Sequence, residues 1–192
     1  KKNIWSGPDP DFYRGEALVT SIKDILDEYV ENDGACPTYE GVKVQINGIV
    51  VKKVNYDVYV IQDYEDEETG EITRYGMFIF AGYDHYECLK IGNDLTITGT
   101  FTVRYGNPQL TSISYNPYYP SGDDMVINAT GVYKPAEINT LAGVDGNLSV
   151  INSIFTFKNL HATGKGYNEK DSTTLVESGA MNIEVTDETG SI

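Results

Sequence analysis

Between Gly41 and Tyr115 apolar residues recur at every second position in short runs, the period of strands that bury one face. The runs are Gly41–Val51, Val58–Asp63, Tyr75–Phe80, Asp94–Tyr105 and Gln109–Tyr115, with turn formers between them. In the fourth run, Leu95, Ile97, Phe101 and Val103 alternate with Thr96, Thr98, Thr100, Thr102 and Arg104, and Gly99 marks an expected bulge. His85–Gly92, after the third run, predicts a small helical insert. Ahead of the strands the period changes, since Ile22, Ile25, Leu26, Tyr29 and Val30 share one face of a helix. Ser21 stands at its cap position with Asp24 three residues on, and Gly34 suits a left-handed residue after its end.

The remaining segments divide the chain. Residues 1–40 read as an extended leader, with Gly7, Pro8 and Pro10, followed by the helix. Residues 41–115 form the strand block, Asn116–Asp124 is a linker rich in Pro and turn formers, and Met125–Ile192 is a second β-rich segment. That segment echoes the first: Gly131–Leu141 resembles Gly15–Ile25, Asn147–Phe157 the strand from Gly41, and Asn182–Gly190 Val58–Asp63 with its following turn. A barrel lacking its later strands leaves open edges, so the echo implies a fragment of a barrel or another fold there. The predicted class is all-β. A five-stranded OB-like barrel with an N-terminal helix precedes a partial second OB-like copy.

Charge narrows the partners. The chain carries 29 acidic residues against 14 basic ones, a formal net charge of −15. Such a surface repels polyanions, which disfavours avid, sequence-blind nucleic-acid binding. Two cysteines, Cys36 and Cys88, are too few for a disulfide framework or a four-ligand metal site, and sequence leaves their pairing open. There is no long apolar run and no signal peptide, and Lys1-Lys2-Asn3 in place of Met reads as a trimmed or mature start. Low pI, abundant Tyr, Thr and Asn, and scarce Cys and Arg fit an extracytoplasmic bacterial protein, secreted or lipid-anchored at the cell surface.

Few residues suggest chemistry. Asp63–Glu71 gathers six carboxylates in one hairpin, which a hard cation would favour, but the spacing is not that of an EF-hand and a solvated tip is the simpler reading. His85 and His161 stand far apart without metal-ligand spacing. Asp123, Asp124 and Asp145 are acids of the kind any acidic chain offers. No nucleophile elbow, phosphate loop or zinc helix is present, so no catalytic residue, metal site or cofactor is expected. Asn128–Thr130 and Asn147–Ser149 match the glycosylation acceptor pattern. Tyr115, Tyr118 and Tyr119 form an aromatic cluster about the linker, read as packing.

An OB barrel offers a ligand face on its second and third strands, bordered by the loops after strands one and four. Lys52, Lys53, Tyr56, Tyr59, Arg74, Tyr75, Phe78 and Tyr105 occupy those positions. Aromatic platforms with interleaved cations stack single-stranded nucleic acid. They equally suit sugar rings, and the adjacent acidic hairpin favours a neutral glycan or peptide over DNA.

Val42–Gly48, Val58–Asp63, Ile91–Gly99 and Arg104–Leu110 resemble motifs of the nuclease-associated OB-fold modules of secreted and lipid-anchored bacterial proteins. The family's Gly-Asp pair before strand four is Gly92-Asn93-Asp94 here, with one inserted Asn, and its Tyr-x-Gly-x-x-Gln turn is Tyr105–Gln109. These motifs specify barrel corners and no chemistry. The resemblance implies a module that accompanies nuclease or phosphatase domains, and no such domain lies in these 192 residues. The expected function is therefore a non-catalytic extracytoplasmic binding or scaffolding module for a glycan, peptide or protein partner. The alternative is a nucleic-acid-binding accessory domain of a secreted nuclease system.

Overall fold

The computed structural model describes residues 17–54, 57–81, 88–113, 125–168, 174–176 and 181–192. The expected leader up to residue 16 and the linker Asn116–Asp124 lie outside the described residues. Two compact units arise. One runs to Lys134 and includes Ile151–Ser153; the other comprises Pro135–Val150 and Ile154–Ile192.

In the first unit, β1 (Leu18–Val19) precedes α1 (Ile22–Glu31), β2 (Lys43–Val54), β3 (Asp57–Glu65), β4 (Ile72–Phe80), β5 (Asp94–Arg104), β6 (Asn107–Thr111) and β7 (Met125–Ala129). The pairing β2–β3–β4–β6–β5 returns to β2 and closes a five-stranded barrel. Its strand contacts are antiparallel except that of β4 with β6. This is the order of an OB barrel, and strands between Lys43 and Thr111, within the expected block, supply it. β1 adds in parallel to the start of β2, and β7 adds antiparallel to the start of β5. Because β7 joins this sheet, the units divide at Pro135 rather than at Met125.

Inward residues follow the alternation. Val44, Ile46, Val58, Val60, Met77, Ile79, Leu95, Ile97, Phe101 and Leu110 are all buried. Gly99 does not mark a bulge, because β5 pairs with β2 without a break from Asp94 to Thr100. A Cβ there would stand 2.9 Å from both Ile113 Cγ1 and Thr111 O, so the glycine permits close approach of the end of β6. The expected helical insert is absent from its described part: Cys88–Asn93 form turns, and residues 82–87 lie outside the described residues.

Helix α1 packs at the barrel end formed by the β3–β4 and β5–β6 turns. Its N-cap behaves as expected, with Ser21 Oγ accepting from Asp24 N at 2.9 Å. Ile22 N donates to Gln62 Oε1 on β3 at 2.9 Å, and Tyr29 OH donates to Gly106 O in the β5–β6 turn at 2.6 Å. Gly34, at φ 91°, donates its N–H to Tyr29 O at 2.7 Å and ends the helix. Ile22, Ile25, Leu26 and Tyr29 are buried, whereas Val30 is turned out and 42% exposed.

The second unit contains β8 (Glu137–Asn139), α2 (Leu141–Val144), a 3-10 turn (Leu148–Val150), β9 (Phe155–Phe157), β10 (His161–Asn168) and β11 (Met181–Thr186). β8 runs parallel to β9, and β10 antiparallel to β11. Strand, capped helix and parallel strand repeat the order β1, α1, β2 of the first unit, while β10 and β11 form a separate two-stranded sheet. The register differs from the echo read in sequence. That echo sets Glu137 against Ser21, whereas the residue that caps α2 is Thr140, three positions later. The strand expected from Asn147 likewise begins only at Phe155.

Replacing Ile25 by Ala should leave a cavity under α1 and lower stability by ~2–5 kcal/mol in denaturant unfolding. Val30→Ala should change it by no more than ~0.5 kcal/mol. Equal losses from the two variants would contradict this packing of the helix.

Candidate functional site

Strand register sorts the candidate residues by face. Lys52 lies opposite Tyr59 and Tyr59 opposite Phe78, so the three form one row across the outside of β2, β3 and β4. Lys52 Nζ stands 5.0 Å from the Tyr59 ring centroid, and the Tyr59 and Phe78 rings are 5.3 Å apart at 49°. Lys52 is exposed and Tyr59 half-buried, while Phe78 is 8% exposed. Burial, with the nearby Asp57 charge, raises the Tyr59 phenol above its ordinary range. The hydroxyl is therefore neutral at physiological pH and able to donate.

Farther along the same face, Arg74 lies opposite Asp63. Arg74 Nε donates to Asp63 Oδ1 at 2.7 Å and its Nη2 to Oδ2 at 3.3 Å; Lys134 Nζ donates to Oδ2 at 2.7 Å. Burial alone would push the Asp63 carboxyl up, but the hydrogen bonds from Arg74 and Lys134 and their charges outweigh it and hold it below the usual range. Between this cluster and the aromatic row lie Ile61 and Gly76, both buried. Asn152 O would stand 2.3 Å from a Cβ on Gly76, and Asn152 Nδ2 donates to Pro108 O at 3.0 Å. Segment 151–153 thus straps the middle of the outer face and leaves its two ends distinct.

The other candidates stand elsewhere. Lys53 pairs with Val58 and takes the opposite parity. Tyr75 pairs with Gln62, also of that parity, and its hydroxyl is raised by burial and by the charge of Asp27 on α1. Tyr105 is 94% exposed in the β5–β6 turn, with the Arg104 guanidinium 5.3 Å from its ring centroid. Tyr56 lies outside the described residues, as do His85, Tyr115, Tyr118, Tyr119, Asp123 and Asp124. The structure therefore brings together Lys52, Tyr59 and Phe78, and sets Arg74 apart in an ion cluster. Asp63 was visible in sequence only as part of an acidic hairpin, although strand register alone places it against Arg74. Lys134 and Asn152 carried no sequence signal.

The acidic hairpin does not converge on a cation. Asp66 Oδ1 accepts from Glu68 N, Thr69 N and Thr69 Oγ1 at 3.0, 2.8 and 2.9 Å, and these bonds, Thr69 N foremost, lower its carboxyl. Among the described residues no group of three or more His, Cys, Asp or Glu side chains is placed to hold a metal ion. Exposed His161 opens β10, and Asp145 is the C-cap of α2.

Both cysteines are buried thiols rather than halves of a disulfide, and their surroundings differ. Cys36 Sγ lies 3.4 Å from Ile25 O, and Cys88 Sγ 3.7 Å from Met125 Sδ. Burial pushes the Cys36 thiol up to about 12, with Glu28 and Glu40 adding to it. An open hollow of about 420 Å³ lined by Asn32, Gly34, Cys36, Pro37, Glu40 and Val103 lies beside it. Its carboxylate is engaged, because Glu40 accepts from Thr102 Oγ1 at 2.6 Å and from Val103 N at 2.9 Å.

No protein family, curated protein or solved structure matches the chain. Among the described residues no helix is long and apolar enough to cross a membrane.

The Asp63 cluster has a pH signature. Its folded pKa is depressed, so its stabilisation is full above the unfolded value near ~3.9 and is lost as pH falls through the lower folded value. Asp63→Asn should cost ~1 kcal/mol at neutral pH. It should also flatten the stability profile below about pH 4 relative to wild type; an unchanged profile in urea melts would exclude the cluster. For the thiols, Ellman's reagent should label neither cysteine appreciably at pH 8 until denaturant is added, and rapid native labelling of Cys36 would contradict its burial.

Proposed function

We propose that this chain is a non-catalytic binding or scaffolding module of the OB type, holding a neutral glycan, peptide or protein ligand against Lys52 and Tyr59. The observation that carries this reading is the row in which an exposed ammonium caps a half-buried phenol ring backed by Phe78. Such a surface offers an apolar face to stack on, a neutral hydroxyl to hydrogen-bond and one cation to orient a polar group. Where nucleic acid would need a run of phosphate contacts, Arg74 and Lys134 are both bound to Asp63. The net charge of −15 works in the same direction.

A non-catalytic role is supported by how the described ionisable groups are used. Asp63, Asp66 and Glu40 serve ion pairs, a turn and a strand contact, and the Cys36 thiol stays protonated. The compartment belongs to the same reading: a secreted or surface-anchored bacterial module, for which composition and the resemblance to nuclease-associated OB modules are the support. Cell fractionation of the native host, with the chain found in the cytosol, would remove that part.

Glycan and peptide arrays test the site. Wild-type protein should give saturable hits, and Tyr59→Ala or Lys52→Glu should weaken them by about tenfold or more, the equivalent of roughly 1.4 kcal/mol. Absence of hits, or hits indifferent to both substitutions, would refute the assignment. Salt-sensitive retention of single-stranded DNA that Lys53→Glu abolishes would instead establish the nucleic-acid alternative.

A further inference from the structure

Strand parity sets Tyr59, Ile61 and Asp63 of β3 opposite Phe78, Gly76 and Arg74 of β4, three cross-strand pairs that follow one another along the outside of the barrel. The two end pairs carry rings and charges. The middle pair is different in kind. Ile61 is an aliphatic side chain on the outer face, yet it is only 2% exposed. At Gly76 a Cβ would stand 2.3 Å from Asn152 O, 2.4 Å from Asn152 C and 2.7 Å from Ser153 N. The backbone of Asn152 and Ser153 therefore lies directly on the middle pair, and Ile151–Ser153 belongs to the same compact unit as the barrel.

This cover is lightly held. Among the described residues its one hydrogen bond to the barrel runs from Asn152 Nδ2 to Pro108 O, at 3.0 Å, and no backbone group of 151–153 pairs with a strand. Asn152 takes φ 62°, in the left-handed region that residues other than glycine occupy at a cost. Ser153 Oγ, and Asn107 Oδ1 next to Pro108, are buried without a hydrogen-bond partner. Lifting the segment would return both oxygens to water and release the left-handed residue. Burial of Ile61 pulls the other way, so the segment stays down when nothing competes with it.

Resting on the reading that this face binds the ligand, we infer that Ile151–Ser153 is an autoinhibitory strap over the middle of the site. It confines a resting ligand to the Lys52–Tyr59 end. From Tyr59 to Asp63 the strand advances about 13 Å, the reach of a short extended peptide or oligosaccharide. A chain that touches both ends must cross Ile61 and Gly76, so it favours the lifted state by the contacts it gains there. A ligand short enough to stay on the aromatic row gains nothing from lifting.

Ser153→Cys supplies a reporter in the full chain, since the Ser153 hydroxyl and both native thiols are buried. Its labelling by Ellman's reagent at pH 8 should be slow. Asn152→Ala removes the bond to Pro108 and strains the left-handed position further, and it should speed labelling about tenfold with cooperative thermal unfolding retained. Gly76→Ala should also speed it, by forcing the backbone off the face. On arrays of immobilised neutral glycans and uncharged peptides, Asn152→Ala should strengthen capture of hexamers about tenfold and leave dimers as they are. Tyr59→Ala should weaken both. If neither substitution speeds labelling, or if hexamer capture is weakened by Tyr59→Ala but indifferent to Asn152→Ala, the strap is overturned and the binding face stands. Failure of every variant to capture either length removes both.

Discussion

Two residue pairs, Phe78 with Gln109 and Ile79 with Leu110, join β4 to β6 in the parallel contact that closes the barrel wall. Without them β2 to β6 would be an open sheet with two unpaired edges, and inside and outside would not be distinguished. Closure forces Val58, Val60, Met77 and Ile79 into a shared interior and so turns Tyr59, Phe78, Asp63 and Arg74 outward. The same contact carries both meanings: Ile79 and Leu110 belong to the core, while Phe78 and buried Gln109 belong to the outer face.

The outer face is then divided by what lies on it. Segment 151–153 is close enough at Gly76 that only hydrogen fits, and it separates the aromatic row from the Asp63 cluster. The two ends have opposite characters. At one, a ring and an ammonium remain accessible for contacts; at the other, two cations are neutralised in part by a carboxylate whose own ionisation they favour. On the reading proposed above, a half-buried ring set apart from a satisfied ion cluster suits a ligand without much charge. It gives little to a phosphate backbone.

The comparison of the two units separates local preference from tertiary stability. In both, a Ser or Thr cap starts a helix after a short strand, and an Asp-to-Thr turn bond follows an antiparallel strand. These devices are completed within a few residues and form in either setting. Burial is different, because in the first unit the inward residues of β2 and β3 are enclosed only when β4, β5 and β6 close the barrel.

The chain's periodicities by themselves determined the five barrel strands, the buried face of α1 apart from Val30, its Ser21 cap and the order of an OB barrel. Alternation every two residues and recurrence every three or four are written in neighbouring residues, so each is readable without the fold. Strand parity also placed Tyr59 opposite in face to Val58 and Val60. Tertiary structure decided the rest: that Lys134, 71 residues away, joins Asp63, that Asn152 covers Gly76, and that Cys36 and Cys88 meet different partners. It also corrected the alignment of the repeat, since Thr140 and Phe155 are identified by a hydrogen bond and a strand partner rather than by residue type. Contacts between distant segments depend on loop paths and mutual packing, which no local periodicity encodes.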